Sequence, residues 1–189
     1  MYAGGCVTDR PLSSTELDLR RVNEPEVRVD RVFSSHDLGS STEDYRILGD
    51  VRLEALLQKK EPRYRLTGHV RATLEVGCGR CLEPFVLPVD ADVDLTYVPH
   101  PTEVGDEEIE LKDEDLTTAH YRHQAIDLGD MLREQFYLAL PMRPLCREEC
   151  KGLCPHCGTN LNQGSCACEP RWEDPRLAGL RALMPKKSE

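Results

Sequence analysis

The chain has 189 residues, with 24 lysines and arginines against 34 aspartates and glutamates, and its formal charge of −10 argues against a general RNA coat. Apolar residues make up 39% and aromatic residues 5%, so packing alone gives a modest core to which a bound metal is a natural supplement. No apolar run reaches the roughly 18 residues of a membrane span and the first 25 residues lack an apolar signal region, which leads to the expectation of a cytoplasmic protein with reduced thiols.

The charge is unevenly placed. Asp90 to Asp115 holds eleven acidic residues and one basic one, Lys112, and the remaining 163 residues hold 23 of each sign. One reading is a solvated strand face and loop; the other is a docking surface for a basic partner such as a ribosomal protein.

In chain order, residues 1–25 show no sustained period and read as a flexible leader, with Cys6 alone in it. EVRVDRVF, 26–33, alternates as a half-buried strand, and SSHDLGSSTED reads as a loop. Leu53, Leu56 and Leu57 of RILGDVRLEALL fit a helical turn, but Val51, Leu53 and Ala55 alternate, which favours strand. Tyr64, Leu66, Gly68, Val70, Ala72, Leu74 and Val76 occupy every second position of a long amphipathic strand. After GCGRCLEP the alternation resumes from Phe85 to Tyr97, against Asp90, Asp92 and Asp94. The two strands form an antiparallel hairpin that sets basic residues opposite acidic ones. From Ile126 the period becomes helical: Asp127 or Asp130 caps, Leu128, Met131, Leu132, Gln135, Phe136 and Ala139 line one side, and Pro141 and Pro144 stop the helix. DPRLAGLRAL, with Pro175 at its first position, predicts a last short helix before a fraying tail.

The cysteines carry the chemistry. Apart from Cys6, eight of them form four close pairs: Cys78 with Cys81, Cys146 with Cys150, Cys154 with Cys157, and Cys166 with Cys168. A structural zinc takes four ligands, normally as two pairs, so four pairs predict two sites. Only eight residues separate Cys157 from Cys166, so Cys154, Cys157, Cys166 and Cys168 close a local site. Cys78, Cys81, Cys146 and Cys150 then hold the other metal, with glycines at the hairpin tip folding the backbone and Gly158 taking a positive φ after Cys157. An alternative is one ion on Cys146 or Cys150, Cys154, Cys157 and one of Cys166 and Cys168. The Cys166–Cys168 pair needs a strained turn to bind one ion. His120, His123 and His156 read as surface polar residues. No phosphate loop, HExxH or serine elbow occurs, and four thiolates leave no open coordination position, so the chain is read as non-enzymatic.

LTGHVRATLEVGCGRCLEPF, then IDLGDMLREQFYLALPMRPLCREECKGLCPHCGTNLN, then DPRLAGLRAL resemble the YceD family of large ribosomal RNA subunit accumulation proteins, in order from about Glu26 to Leu183. The resemblance implies a role in large-subunit ribosomal RNA accumulation, with no catalytic residues and with the cysteines from Cys78 to Cys168 as metal ligands. The stretch before Glu26 departs from the family pattern, as an upstream misassigned start would. The implied partners are a large-subunit ribosomal RNA precursor or a ribosomal protein, with no membrane and no small-molecule substrate.

The expected architecture is α+β: an antiparallel sheet that can curl toward a barrel, one packed helix, and a cysteine-rich zinc module holding one or two ions near the C-terminus. Its segments are a leader (1–25), the α+β domain (26–145), the module (146–170) and a terminal helix and tail (171–189). A basic patch of Arg143, Arg147, Lys151 and Arg171, with Trp172 to stack on a base, is the candidate RNA or partner surface. Two function classes stay open: an assembly or stability factor docking through its acidic segment or metal module, and a direct RNA-binding or processing factor. A thiol- or metal-responsive regulator is a further alternative.

Overall fold

The computed structural model describes residues 14–100 and 117–168. These fall into two compact units, one from residues 14–76 and 85–142, the other from 77–84 and 143–168. The boundaries differ from the expected 26–145 and 146–170, because the hairpin tip groups with the cysteine segment.

In the first unit the alternating stretches are strands: β2 (Glu26–Phe33), β4 (Val51–Lys60), β5 (Arg63–Gly77) and β6 (Pro84–Pro99). They lie in the order β2-β4-β5-β6, followed by β7 (Thr118–Tyr121). A short β3 (Tyr45–Ile47) pairs with Leu74–Val76 of β5, beyond the stretch of β5 that β4 covers. With β2 and β7 at its two ends the sheet is open, which corrects the barrel-like expectation. It is also mixed, since β7 runs parallel to β6.

Period-two alternation decides which face is buried. Leu53, Leu57, Leu66, Val70 and Leu74 are fully buried, while their neighbours Arg52, Glu54, Arg65, Arg71 and Glu75 lie on the polar face. There Arg65 pairs with Asp94 at 2.7 Å, His69 with Asp92 at 2.6 Å and Arg71 with Asp90 at 3.8 Å. The expected matching of basic β5 with acidic β6 is therefore present. Exposed pairs of this kind add little to stability but fix which residues face one another.

The helix α1 (Leu128–Ala139) starts where Asp127 caps it, its carboxylate accepting from the Asp130 N–H at 3.0 Å. Leu128, Met131, Leu132 and Phe136 are buried in the same core as the sheet residues, and the Phe136 ring meets Tyr45 edge-on at 5.8 Å.

The leader reading fails for the described part of residues 1–25. Glu16–Asp18 forms β1, paired antiparallel with β8 (Ala125–Asp127), and Leu19–Arg21 makes one 3-10 turn. Leu17, Leu19 and Val22 are buried, and Arg31 donates to the Glu16 carbonyl at 3.1 Å. Three residues of strand are too short to show a period, which is why the segment looked structureless. Cys6 and the terminal DPRLAGLRAL stretch lie outside the described residues, as do all the acidic residues of the segment beyond His100.

Gly68 occupies an apolar-parity position of β5 because nothing larger fits there. A Cβ on it would sit 2.3 Å from the Glu54 carbonyl oxygen and 2.5 Å from the Ala55 Cα, both backbone atoms of β4. Gly68→Ala is expected to lower stability by about 2–3 kcal/mol, the upper range for overpacking, as measured by chemical denaturation. An unchanged midpoint would show that β4 yields at no cost.

Candidate metal centre

The second unit gathers all eight cysteines into two groups of four: Cys78, Cys81, Cys146 and Cys150, and Cys154, Cys157, Cys166 and Cys168. Within each group the sulfurs all lie within 4.8 Å of one another. This is the two-site partition expected from the pairing, and the single-site alternative does not correspond to it.

The first group is built around the tip of the β5–β6 hairpin. The Cys78 N–H donates to the Glu83 carbonyl at 3.0 Å, and the Leu82 N–H donates back to the Cys78 carbonyl at 2.9 Å. The second group repeats this pattern. The Cys154 N–H donates to the Thr159 carbonyl at 2.8 Å, and the Gly158 N–H to the Cys154 carbonyl at 2.9 Å. Each turn needs a left-handed residue just after its second cysteine. Gly158 supplies it at φ 72°, as expected, but in the first turn it is Leu82 at φ 61°. The glycines on which the hairpin tip was expected to fold, Gly77 and Gly79, have no positive φ; the Gly79 N–H instead donates to the Pro144 carbonyl at 2.8 Å. No residue from 166 to 168 is left-handed, so the CxC pair shows no strain of that kind.

Sulfur spacing tests whether a metal fits. Cys78 Sγ lies 3.8 Å from Cys150 Sγ, and Cys81 Sγ 3.8 Å from Cys146 Sγ. A disulfide needs about 2.05 Å. A tetrahedral ion with sulfurs at about 2.3 Å has an edge of about 3.8 Å. The thiols are free and two edges of the first group match the tetrahedron, while the second group's sulfurs lie within the same 4.8 Å bound, so each group could hold a metal ion. Cys78, Cys81, Cys150 and Cys154 are buried, Cys146, Cys166 and Cys168 half-buried, and Cys157 exposed.

Hydrogen-bond donors prepare some of these sulfurs for the charged state. Backbone N–H groups of Cys81 and Cys146 bring the Cys78 thiol down to about 6, and the Thr159 hydroxyl, 3.2 Å away, does the same for Cys157. Burial opposes ionisation of Cys150, but the Asn162 amide, which donates to its sulfur at 3.3 Å, and the Gly152 N–H outweigh it. Burial and neighbouring thiols push Cys146 up to about 12; Cys168 rises to about 12 chiefly through Cys157 and then burial. Like charges packed this closely cannot all ionise without a cation among them.

Of the expected basic patch, Arg143, Arg147 and Lys151 are exposed; Arg171 and Trp172 lie outside the described residues. Arg147 donates to the Asn162 side-chain oxygen at 2.9 Å, and the Lys151 N–H donates to that same oxygen at 2.9 Å. His156 is exposed, consistent with its reading as a non-ligand. Sequence reasoning missed Asn160, Asn162 and Glu83; the only trace of them is the pair of asparagines following the CPHCG turn.

An open-sheet domain coupled in sequence to a module with two four-thiol clusters defines a class of protein able to hold two metal ions; among the described residues no helix is long and apolar enough to cross a membrane. Residues 66–184 match the family model described as Large ribosomal RNA subunit accumulation protein YceD, and the chain belongs to that family. It is similar to Large ribosomal RNA subunit accumulation protein YCED homolog 1, chloroplastic, of Zea mays, at 29% identity over 60% of this chain and 46% of the maize protein. The Arabidopsis thaliana homolog of the same name is 25% identical over 92% of this chain and 59% of its own length. The uncharacterised protein YlbN of Bacillus subtilis is 22% identical over 93% and 98%. The chain thus spans about half the length of the plant relatives. No solved structure matches.

The two turns differ in one informative residue. Gly158→Leu is expected to cost about 1–2 kcal/mol, the penalty for a branched-chain L-residue in left-handed backbone, whereas Leu82→Gly is expected to be neutral or stabilising. Thermal melts of the metal-loaded variants measure both, and a Leu82→Gly loss as large as that of Gly158→Leu would show that the Leu82 side chain holds the turn.

Proposed function

We propose that this chain is a non-enzymatic factor supporting the accumulation of large-subunit ribosomal RNA, with one structural zinc ion in each four-cysteine cluster. The observation that carries the reading is that the family match, residues 66–184, contains both clusters whole. Zinc suits four thiolates, and an ion so bound has no open coordination position, so it orders the chain. Around the ions the chain's own groups do the rest: the N–H groups of Cys81 and Cys146 and the Asn162 amide donate to sulfur, and the left-handed turns at Leu82 and Gly158 aim each CxxC pair inward. The partner is a large-subunit RNA precursor or a ribosomal protein, met in the aqueous compartment where ribosomes are assembled.

Direct RNA contact is the second reading, and it is local: two zinc ions each held by four thiolates would together carry −4, so it rests on the exposed Arg143, Arg147 and Lys151. Residues 77–84 and 143–189 carry nine cationic and seven acidic side chains, whereas the rest of the chain carries 15 and 27. Phosphate contact, if made, belongs to the cysteine-rich part.

Metal analysis of the purified protein should return two zinc ions per chain, and the Cys78→Ser/Cys81→Ser variant should return one; a single ion in the wild type would overturn the two-site reading. In cells, depletion should lower the ratio of large- to small-subunit ribosomal RNA, and restoration should need the intact clusters. Crosslinking and joint recovery of RNA and protein then separates the readings: precursor RNA crosslinked at 143–151 supports direct contact, and a ribosomal protein without RNA supports protein docking.

A further inference from the structure

Beside the first cluster lies an open cleft of about 340 Å³. Two of its lining residues, Cys81 and Cys146, belong to the cluster; the others are Glu83, Arg147 and the carboxamides Asn160, Asn162 and Gln163. No alkyl or aromatic side chain lines it, so it is not built for an apolar ligand.

The polar side chains are joined in a row. Arg147 donates to the Asn162 oxygen at 2.9 Å, Asn162 donates to the Asn160 oxygen at 3.0 Å, and Asn160 donates to Glu83 Oε1 at 3.3 Å, where Gln163 also donates at 3.2 Å. Asn162 is itself tied to Cys150 Sγ, so the row is anchored to the cluster. A guanidinium stands at one end and a carboxylate at the other, and the remaining Glu83 oxygen and the Arg147 Nε and Nη1 have no protein partner among the described residues.

These ends exclude simple ions of either sign, because an anion meets Glu83 and a cation meets Arg147. A neutral planar group with adjacent donors on one edge and adjacent acceptors on another satisfies both. Guanine has that order: N1–H and N2–H donors, then O6 and N7 acceptors, and Arg pairing with O6 and N7 is its commonest recognition. Leu82, between the lining residues Cys81 and Glu83 in sequence, is 70% exposed and held in left-handed backbone. Exposed Arg143 and Lys151 are available to phosphates on either side.

We propose that this cleft takes one unpaired guanine of single-stranded RNA, with the free oxygen of Glu83 accepting from N1–H and N2–H and an unpartnered Arg147 N–H donating to O6 or N7. The choice of RNA over a free nucleotide rests on the ribosomal reading above.

The test uses the metal-loaded full chain and fluorescein-labelled UUGUU, UUAUU, UUCUU and UUUUU in anisotropy titrations at fixed salt. UUGUU should bind about tenfold tighter than the others, consistent with the cost of one lost bidentate pair. Replacing its guanine with hypoxanthine, which lacks the 2-amino group, should weaken it several-fold. Glu83→Gln and Arg147→Lys, with zinc content measured alongside, should abolish the preference without loss of metal. Equal binding of all four oligomers, or a preference that survives in Glu83→Gln, overturns the proposal, as does GMP binding as tightly as UUGUU. If the guanine preference holds while depletion leaves the ribosomal RNA ratio unchanged, the cleft stands and the cellular role fails.

Discussion

Eight sulfurs drawn into two groups, each less than 5 Å across, are the constraint around which residues 77–84 and 143–168 are arranged. Sulfur charges at that distance repel strongly once ionised, and neutral thiols offer one another only weak hydrogen bonds. The surrounding chain is nevertheless committed to holding them there, with amide donors, two matching left-handed turns and carbonyls such as Arg80 O, which accepts from the Leu153 N–H at 3.1 Å. A chain that commits its local hydrogen bonds this way is arranged so that a coordinated ion would supply the order that apolar packing in so short a segment cannot.

The sheet follows a different logic. Its buried face is fixed by aliphatic alternation, and its polar face spends part of the protein's acidic excess on β5 cations. Asp90, Asp92 and Asp94 thus each face a basic residue of β5 while staying exposed, whereas the other acids of the segment lie beyond His100. Charge that looked like one segment in the sequence has two settings: part is neutralised across a hairpin, and part lies beyond it.

How much of this was legible in the sequence depended on the length of the pattern. The strands around Leu66 and Val89 and the helix from Leu128 were readable because each repeats its period many times over. β1, β3 and β8 were not, since each is three residues long and buries only one or two of them, too few to show a period. The parallel strand at Thr118–Tyr121 was hidden for the same reason, and it is what turns an antiparallel sheet into a mixed one. The cysteine partition could be obtained by counting pairs. The cleft could not, because Glu83 and Gln163 are 80 residues apart and only the folded hairpin tip brings them into hydrogen-bond range. Leu82 escaped notice because a leucine gives no signal for left-handed backbone; glycine does, and Gly158 was read correctly.

The two clusters also differ in what they join. The second draws all four sulfurs from residues 154–168, a short stretch that closes on itself at small entropic cost. The first links Cys81 to Cys146 across 65 positions. In a chain made from its N-terminus, Cys78 and Cys81 emerge long before the sulfurs that complete their group, and β6, β7, β8 and the helix are synthesised in the interval. The first cluster therefore closes only on a chain that has already delivered its hairpin tip to the right place. An ion seated there would therefore mark a molecule whose distant parts have met, as well as bracing it.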